Sequence, residues 1–396
     1  MTYGLIAAGG LLIALVCGSC LLVAAVRRSP RLSSRRVWGS IGLSAIVLLI
    51  LTAVFDNLMI AAGLFTYAPD LTLGIQLGAV PLEDFSYPLA AVLVLPGLWL
   101  LLSRDTAQRR KDFAQLVLAS RPISWINTAF PFGAAYVLIH REIDWVFLVG
   151  IIYFLVPYNF AMYGINDVFD YESDLANPRK GGIEGALLAP RLHRPTLWIA
   201  AASNLPFLLL LASAGGPASW LALAVSAFAL VAYSAPGLRW KERPFLDSLT
   251  SSTHFVSPAV VGVLLAGGSL EGPLLVVLMA FFLWGMAAHA FGAVQDIGPD
   301  RAAAIGSIAT VFGAKATVRT ALVLWVLAGV MMLGTPWPGP LAAVVAIPYL
   351  FNCAPYWSIT DADAASTNRA WRRFIALNFF SGFLVTLIMI IEWNYG

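Results

Sequence analysis

Long apolar runs separated by short polar connections are the dominant pattern of this chain. Each of twelve runs has about 17–25 residues, the length with which a helix crosses the hydrocarbon core of a bilayer. Three runs precede residue 105 and nine follow residue 121: 3–26, 38–62, 84–103, 122–140, 145–165, 195–213, 217–234, 251–267, 272–291, 317–335, 339–356 and 373–393. The pattern therefore predicts an all-α integral membrane protein with about twelve transmembrane helices, a three-helix unit followed by a nine-helix bundle.

Two of the runs depart from this regular pattern. The third could begin as early as Leu71, because residues 71–80 are also apolar and Pro81 could break or kink a helix there. The run 251–267 is the weakest, since Ser, Thr, His and Pro interrupt it. Neither departure changes the number of predicted spans.

Composition agrees with a bilayer as the solvent of the chain. Of the 396 residues, 60% are hydrophobic and 11% are charged, a balance that excludes a soluble globular domain. Three cysteines are too few for a disulfide framework. We expect contact with membrane lipid and none with nucleic acid.

Lysine and arginine are concentrated in every second connection between the runs. The basic connections are 27–36, 104–111, 179–194, 239–243, 301–319 and 369–373. Basic loops of membrane proteins stay on the cytoplasmic side. We therefore expect a multi-pass protein of the cell membrane with these connections in the cytoplasm and both termini outside.

The basic and polar segment 103–121 is the best candidate for a domain boundary. It is expected to form a short helix on the membrane surface, with Phe113, Leu116 and Leu118 towards the lipid. The predicted division is a first domain at 1–105, a linker at 106–121 and a second domain at 122–396.

An acidic cluster directly follows the fifth apolar run. Residues 166–174 read Asn-Asp-Val-Phe-Asp-Tyr-Glu-Ser-Asp. On a helix, Asn166, Asp170 and Asp174 lie on one face, with Asp167 beside them. Crowded carboxylates repel one another unless a cation lies between them, and Mg²⁺ with phosphate oxygens as further ligands is a common solution. A solvated helix end is the alternative, but ionisable residues at the mouth of a membrane span are usually functional.

A second acidic cluster follows the sixth run of the nine-helix bundle. Asp296 and Asp300 are one helical turn apart, although Gly298-Pro299 is expected to end the helix between them. Two carboxylate groups that face each other across a cavity can hold Mg²⁺ ions bridging a diphosphate. An ordinary loop charge pair with Arg301 would explain Asp300 but not Asp296.

Cationic residues are predicted on the same cytoplasmic side as both acidic clusters. Such side chains can pair with phosphate oxygens, arginine in bidentate fashion. The positive-inside bias would place some of them there in any case. The candidates are Arg179, Lys180, Arg239, Lys241 and Arg301.

Three sequence words resemble one family and occur in that family's order. Residues 166–174 resemble the first aspartate motif of the UbiA superfamily of intramembrane prenyltransferases, and DIGPDRAAAIGSIATVFGAKAT, from Asp296, resembles the second. The word YSAPGLRWK, from Tyr233, is similar to the family's loop between them. The resemblance covers about residues 120–396 and implies a UbiA-type bundle with Mg²⁺ as cofactor.

For this chain the resemblance implies a diphosphate site with two acidic sides. One side would consist of Asn166, Asp167, Asp170 and Asp174. The other would consist of Asp296 and Asp300, and Asp167 and Asp170 would also be catalytic. The phosphates would contact Arg179, Lys180, Arg239, Lys241, Arg301 and Tyr233. Stabilising the leaving diphosphate lets the allylic C–O bond ionise, and a membrane cavity shields the resulting cation from water.

The extended wording of both acidic motifs resembles the lycopene elongase branch of the superfamily. That resemblance implies transfer of a C5 group from dimethylallyl diphosphate to the terminal alkene of lycopene or a related carotenoid. His289 could accept the proton lost after addition, although a lone intramembrane histidine can equally be a hydrogen-bond donor between helices. The alternatives are a quinone or other apolar acceptor with a non-catalytic N-terminal unit and, from a different class, a secondary transporter.

The three-helix unit carries two acids between apolar runs. Glu83 and Asp84 could act as general acids on an alkene if desolvation raises their pKa, or they could simply start a helix. The words PLEDF at 81–85 and FDN at 55–57 resemble small carotenoid cyclase subunits of actinobacteria and archaea. The resemblance implies Glu83 first and Asp84 second as proton-transferring residues, with support from Asp56 and Asn57.

Cyclases of this kind need two three-helix units, and the chain has one copy of the motif. We therefore predict a second small cyclase subunit as a partner, or else a homodimer. The chain as a whole is predicted to be a bifunctional C50 carotenoid enzyme, a lycopene elongase joined to half of an end-group cyclase.

Overall fold

The described part of the chain is almost entirely helical. The computed structural model describes residues 2–28, 34–68, 71–102, 107–176 and 187–395, and 83% of these residues are helical. The α-helices are α1 Thr2–Arg28, α2 Ser34–Ala61, α3 Ser86–Leu102, α4 Ala107–Ala119, α5 Ile126–His140, α6 Trp145–Leu155, α7 Pro157–Phe169, α8 Tyr171–Ala176, α9 His193–Ala214, α10 Pro217–Ser234, α11 Leu246–Leu265, α12 Gly272–Val294, α13 Ile297–Ala302, α14 Ile308–Leu333, α15 Ala346–Cys353 and α16 Asn368–Tyr395. The predicted all-α membrane fold is confirmed.

The described residues give ten or eleven candidate membrane spans, where the sequence predicts about twelve. Ten helical segments of the described chain are long and apolar enough to cross a membrane, and the bent pair Arg110–Ser124 and Ile126–His140 supplies an eleventh if it acts as one span. The twelfth predicted span corresponds to α3, which has 17 residues. A helix of that length extends about 26 Å, slightly less than the hydrocarbon core of about 30 Å.

Several spans are interrupted in ways that hydropathy does not show. The run predicted at 145–165 is two helices, because Pro157 has no N–H to donate and starts α7 as its first residue. Helix α14 begins nine residues before its predicted start at residue 317 and is kinked at Gly313, whose φ is +79°. The run predicted at 339–356 begins as a 3₁₀ helix, Gly339–Val345, before α15.

The chain folds into two compact units, Met1–Lys111 and Asp112–Gly396. In the first unit α1 packs closely along α3. A β-carbon on Gly18 would lie 2.9 Å from the carbonyl oxygen of Leu93, and one on Gly97 would lie 2.7 Å from the β-carbon of Leu21. These two glycines therefore let the helix backbones approach as small residues do in membrane bundles.

The connection between α2 and α3 is a short hairpin, not the helix considered from Leu71. Strands β1, Gln76–Leu77, and β2, Val80–Pro81, pair in antiparallel register. The side chain of Asn57 holds this hairpin, because its amide donates to the carbonyl of Leu77 at 2.9 Å and its oxygen accepts the Ala79 N–H at 2.6 Å. A 3₁₀ turn, Leu82–Phe85, then leads into α3.

The second unit is a closed bundle in which neighbouring helices pack in chain order and α16 packs against α5. One buried cluster surrounds Trp325, and another surrounds Tyr153 and Tyr158. The backbone of helix α11 packs closely on that of α5. A β-carbon on Gly262 of α11 would lie 2.5 Å from the carbonyl oxygen of Phe132 in α5. Helix α11 therefore lies inside the bundle, next to the ends of α10 and α12.

Candidate active site

Several helix ends of the second unit meet at one end of the bundle. The Ser234 hydroxyl at the end of α10 donates to Asn166 Oδ1, near the end of α7, at 2.8 Å. The Ile308 N–H at the start of α14 donates to Asp247 Oδ2, in the first turn of α11, at 2.7 Å. The first acidic motif begins in the last turn of α7 and the second directly follows α12, so both are found where these ends converge.

The first acidic motif crosses a small break between α7 and α8 but keeps its helical spacing. The N–H of Asp170 donates to the Asn166 carbonyl at 2.9 Å, and that of Asp174 donates to the Asp170 carbonyl at 2.8 Å. The exposed fractions of Asp167, Asp170 and Asp174 are 1%, 8% and 6%. Three buried carboxylates so close together require compensating positive charge.

Neighbouring segments supply this positive charge. Arg121 Nη2 lies 3.0 Å from Asp167 Oδ1, and its guanidinium stacks 4.3 Å from the centre of the Tyr163 ring. The ammonium of Lys241 contacts Asp170 Oδ1, and Arg239 Nη2 lies 3.6 Å from the same oxygen. Arg121 and Arg239 have φ of 48° and 41°, a left-handed conformation that non-glycine residues adopt at a cost and that clusters at functional sites.

Lys241 connects the two acidic motifs electrostatically. Burial lowers the pKa of its ammonium to about 8, although the carboxylates of Glu242, Asp300 and Asp167 act in the opposite direction. Asp167 belongs to the first motif and Asp300 to the second. Lys241 therefore lies within electrostatic reach of both motifs.

The second motif is arranged differently from the expectation. The expected helix end at Gly298-Pro299 is wrong, because α12 ends at Val294 and both residues belong to the first turn of α13. Proline is tolerated there, since the N–H groups of a first helical turn have no partner within the helix. The Asp300 N–H donates to the Asp296 carbonyl at 2.9 Å, so the one-turn spacing is kept.

One predicted phosphate-binding residue pairs elsewhere, and two others lie outside the described residues. Arg301 pairs with Asp361 at 2.7 Å and donates to the carbonyl of Thr310 at 2.8 Å. Arg179 and Lys180 lie outside the described residues. Within the described ranges, Lys241 and Arg239 are the predicted cations that contact the first motif.

The oxygen donors fit Mg²⁺ in chemistry but are not already gathered around one point. Among the described residues, no group of three or more acidic, histidine or cysteine side chains is positioned to hold a metal ion. Carboxylate and amide oxygens are the ligands that Mg²⁺ prefers, and it commonly shares them with substrate phosphates. The ammonium of Lys241 and the guanidinium of Arg121 provide the positive charge at these oxygens here.

The structure also reveals polar residues that sequence reasoning missed, all on one side of α11. Asp247 is fully buried, and His254 has 3% of its surface exposed. Ser257 donates to Ser226 at 2.8 Å, which donates to the Tyr158 hydroxyl at 3.1 Å. The sequence contains a sign of His254 and Ser257, because polar residues make the run 251–267 the weakest of the predicted spans.

Tyr233 and His289 lie against this polar side of α11. The Tyr233 ring is 5.4 Å from the His254 ring and 6.3 Å from the His289 ring, centre to centre, and nearly perpendicular to both. His289 Nε2 lies 3.8 Å from Asp247 Oδ2. Tyr233, predicted to contact phosphate, thus also borders a histidine pair.

In the first unit, Glu83 and Asp84 lie in the 3₁₀ turn before α3 and are 7% and 2% exposed. Asp84 accepts hydrogen bonds from the hydroxyls of Tyr67 and Tyr87, the latter at 2.8 Å. Burial, and then the bond to Asp84, raise the pKa of Tyr67 well above its ordinary value, so this phenol stays a donor. Asp84 therefore accepts one phenol hydrogen bond on each of its two oxygens.

Glu83 has a different environment from its neighbour. Its Oε1 accepts the Leu73 N–H at 2.6 Å, and its buried Oε2 has no hydrogen-bond partner among the described residues. Glu83 and Asp84 line one cavity of about 540 Å³, together with Tyr67, Tyr87 and apolar residues of α1 and α3. Asp56 lies close enough for its charge to interact with Asp84.

The fold and the buried acidic motifs define a polytopic helical membrane protein with paired buried acids and cations at one end of its larger bundle. A family model described as the UbiA prenyltransferase family matches residues 128–382. The chain therefore belongs to the UbiA prenyltransferase family, which makes it an enzyme rather than a transporter. A second family model, described as lycopene cyclase, matches residues 9–101, and both resemblances drawn from the motifs are confirmed.

Named relatives and a solved structure agree with this membership. The "C(50) beta-cyclic carotenoids biosynthesis protein LbtBC" of Dietzia sp. is 48% identical over 90% of this chain and 91% of its own length. The "Lycopene elongase/hydratase" of Corynebacterium glutamicum is 52% identical over 69% of this chain and 96% of its own length. A UbiA homologue from Archaeoglobus fulgidus bound to DMAPP and Mg²⁺ shares the fold at a TM-score of 0.52 and 19% identity, covering 67% of this chain and 98% of that one.

Proposed function

We propose that this chain is a bifunctional C50 carotenoid enzyme. Its second unit would transfer a C5 group from dimethylallyl diphosphate to an end of lycopene, in an Mg²⁺-dependent reaction. Its first unit would provide half of the cyclase that closes the extended end into a ring. The relatives named above support both parts, since one has the name of an elongase and the other that of a protein of cyclic C50 carotenoid biosynthesis.

The observation that carries the proposal is the buried first motif with cations drawn against it. Arg121 and Lys241 contact Asp167 and Asp170, and Lys241 is also within electrostatic reach of Asp300. Anionic and cationic groups that alternate in this way suit a metal-bound diphosphate, whose charges they can take up with little rearrangement.

Each group in this site has a proposed role. The metal would be held by Asn166, Asp167, Asp170, Asp174, Asp296 and Asp300. When bound, Mg²⁺ supplies Lewis-acid stabilisation of the leaving diphosphate. Lys241, Arg239 and the unpredicted Arg121 would bind phosphate oxygens, and the hydroxyl of Tyr233 would donate to them. Ser234 orients the Asn166 amide through their 2.8 Å hydrogen bond.

An apolar acceptor is favoured over a quinone by the character of α11. The polar groups along it are small hydroxyls, one aspartate and one histidine, without a cationic clamp for an acidic aromatic acceptor. A polyene needs only apolar walls and a way to lose a proton. The name of the Dietzia relative adds β rings as the proposed type of end group.

In the cyclase half, the two acids have opposite environments that suit opposite roles. Glu83, with an unpartnered Oε2, would protonate the polyene, and Asp84, held by Tyr67 and Tyr87, would accept the proton that is lost when the ring closes. Asp56 and Asn57 would support the site, Asn57 by holding the hairpin. We propose a second small cyclase subunit, or a second copy of this chain, as the source of the other three-helix unit.

The proposed location is the cell membrane, with the diphosphate site facing the cytoplasm, where dimethylallyl diphosphate is dissolved. The basic connections between spans support this orientation. The domain division proposed from the sequence, at 1–105, 106–121 and 122–396, assigns one reaction to each side of the linker.

The test is expression in a lycopene-producing host, with and without a candidate small cyclase subunit, followed by mass analysis of the pigments. We expect masses increased by one or two C5 units, and rings only when the partner is present. Asp170→Ala should abolish the mass increase, and Glu83→Gln should abolish the rings but keep the increase. Unchanged lycopene in a host with sufficient donor would refute the elongase, and rings formed without any second subunit or second copy would refute the half-cyclase.

A further inference from the structure

A buried histidine in α11 has no structural explanation in the packing around it. His254 has 3% of its surface exposed, and neither ring nitrogen has a hydrogen-bond partner among the described residues. A neutral imidazole carries one N–H donor and one acceptor lone pair, and burying such a group without partners is destabilising. Buried polar groups of this kind are retained where they bind something during function.

His254 lies directly beneath the diphosphate site. The centre of its ring lies 5.4 Å from that of the Tyr233 ring. Ser234, which follows Tyr233 in the chain, donates to Asn166 Oδ1 of the first motif at 2.8 Å. Along α11, His254 is two helical turns deeper than Asp247, a depth of about 10 Å. A donor whose diphosphate is held at the acidic motifs would extend its hydrocarbon end towards this layer.

The groups around His254 include a second histidine and a buried carboxylate. His289 from α12 packs on the same Tyr233 ring, and its Nε2 lies 3.8 Å from Asp247 Oδ2. Asp247 is fully buried, and its Oδ2 also accepts the Ile308 N–H at 2.7 Å, which holds the carboxylate in place. The buried Asp247 carboxylate beside His289 therefore offers a group to which a proton taken up in this layer can move.

We propose that His254 accepts the proton that ends the prenyl transfer, an inference that rests on the proposed function. The C1–O bond of the donor breaks, and its electron pair leaves with the diphosphate. The π electrons of the acceptor alkene form the new C–C bond at C1 and leave a tertiary cation. A C–H bond next to this cation then breaks, its electrons form a new double bond, and the proton passes to a ring nitrogen of His254. His289 and Asp247 lead the proton on towards the end of the bundle.

The experiment measures pyrophosphate release and pigment mass together, in membranes supplied with lycopene, dimethylallyl diphosphate and Mg²⁺. In His254→Phe and the polar His254→Gln, we expect pyrophosphate release within a few-fold of the wild-type rate and about 100-fold less of the elongated alkene, because a general base typically contributes 10²–10⁴-fold. Water should capture the cation instead, which adds the mass of one water molecule to the product. Thr253→Ala, on the exposed side of the same helix, is the matched control and should behave as the wild type.

The possible outcomes separate this inference from the proposed function. A wild-type protein that releases no pyrophosphate and extends no pigment would refute the function itself. An active wild type whose His254 variants give an unchanged product mixture would refute only the role of His254, as would variants that stay folded but lose pyrophosphate release and elongation equally. If thermal unfolding in detergent shows that His254→Phe does not fold, the pyrophosphate release and product masses of His254→Gln decide the question. A wild-type product that is entirely hydrated would also overturn the proposal.

Discussion

Asp170 has the contacts that explain most about the larger site at the level of single residues. It is 8% exposed, contacts the Lys241 ammonium and lies 3.6 Å from Arg239. Replacing its carboxylate would remove a metal ligand and leave two cations without their counter-charge. Glu172 is exposed, lies in the short helix α8 that directly follows Asp170, and offers a matched control.

For Asp170→Asn we expect prenyl transfer to fall by about 100-fold or more, the scale on which loss of one charge-stabilising group affects such reactions. Glu172→Gln should leave the rate within about 2-fold, since exposed charges interact weakly. The measurement is the initial rate of pigment elongation in isolated membranes. Equal losses in both variants would show that general acidity of the segment, rather than a specific ligand, is what matters.

Lys241 offers a second prediction at this scale. Lys241→Met should raise KM for dimethylallyl diphosphate about 10-fold or more, because a charge-assisted phosphate contact contributes about 1.5–3 kcal/mol. Lys241→Arg should recover part of this loss, since it keeps the charge. Arg243→Gln, exposed in the same loop, is the control and should leave KM unchanged. An unchanged KM in Lys241→Met would contradict phosphate binding by this residue.

At the scale of elements, the packing of α1 on α3 forms the proposed cyclase cavity. A side chain on Gly97 would meet Leu21 at 2.7 Å, whereas a side chain on Gly9 has nothing within 4 Å. Gly97→Val should therefore destabilise the first unit by about 1–3 kcal/mol through overpacking. We expect it to lose ring formation while it keeps elongation.

The matched control is Gly9→Val, which should keep both ring formation and elongation. Thermal unfolding in detergent, together with pigment analysis, checks the pair of variants. Normal ring formation in Gly97→Val would show that the close approach of α1 and α3 has no part in the cyclase site.

The elements also show why sequence reasoning succeeded and where it stopped. Hydropathy predicted the spans, because a bilayer requires about 20 apolar residues per helix whatever their packing. It could not show that Pro157 divides one span or that Gly313 kinks another, because hydropathy measures the polarity of a residue and not its backbone geometry. Residues 71–80 also looked apolar enough for a helix but form a hairpin, held by long-range bonds from Asn57.

The site was predictable to a similar extent. The acidic motifs and Lys241 were recognisable because their residue types and spacing carry the chemistry. Arg121 was not, because its contact with Asp167 joins residues 46 positions apart. His254 was interpreted only as an interruption of a weak span, and Asp247, four residues before that span, was not singled out, since single polar residues do not reveal which way they point.

At the scale of the whole molecule, each of the two units corresponds to a separate family match, residues 9–101 and residues 128–382. The Corynebacterium relative consists almost entirely of the part that resembles the second unit, since 96% of it is covered by 69% of this chain. We therefore expect a chain of residues 107–396 to extend lycopene at a rate within about 3-fold of the full chain and to form no rings with any partner. Loss of elongation in this shortened chain, while it still folds, would show that the first unit takes part in prenyl transfer.

The measurement that tests the central claim most directly is transfer of isotopically labelled dimethylallyl diphosphate to lycopene by the purified protein. With Mg²⁺ present, we predict label in carotenoids that are one and two C5 units heavier than lycopene, and one pyrophosphate released for each C5 unit added. Chelation of the divalent ions should stop the transfer, and Mg²⁺ added back should restore it. Label that never enters a carotenoid, or transfer that continues at full rate after chelation, would contradict the account.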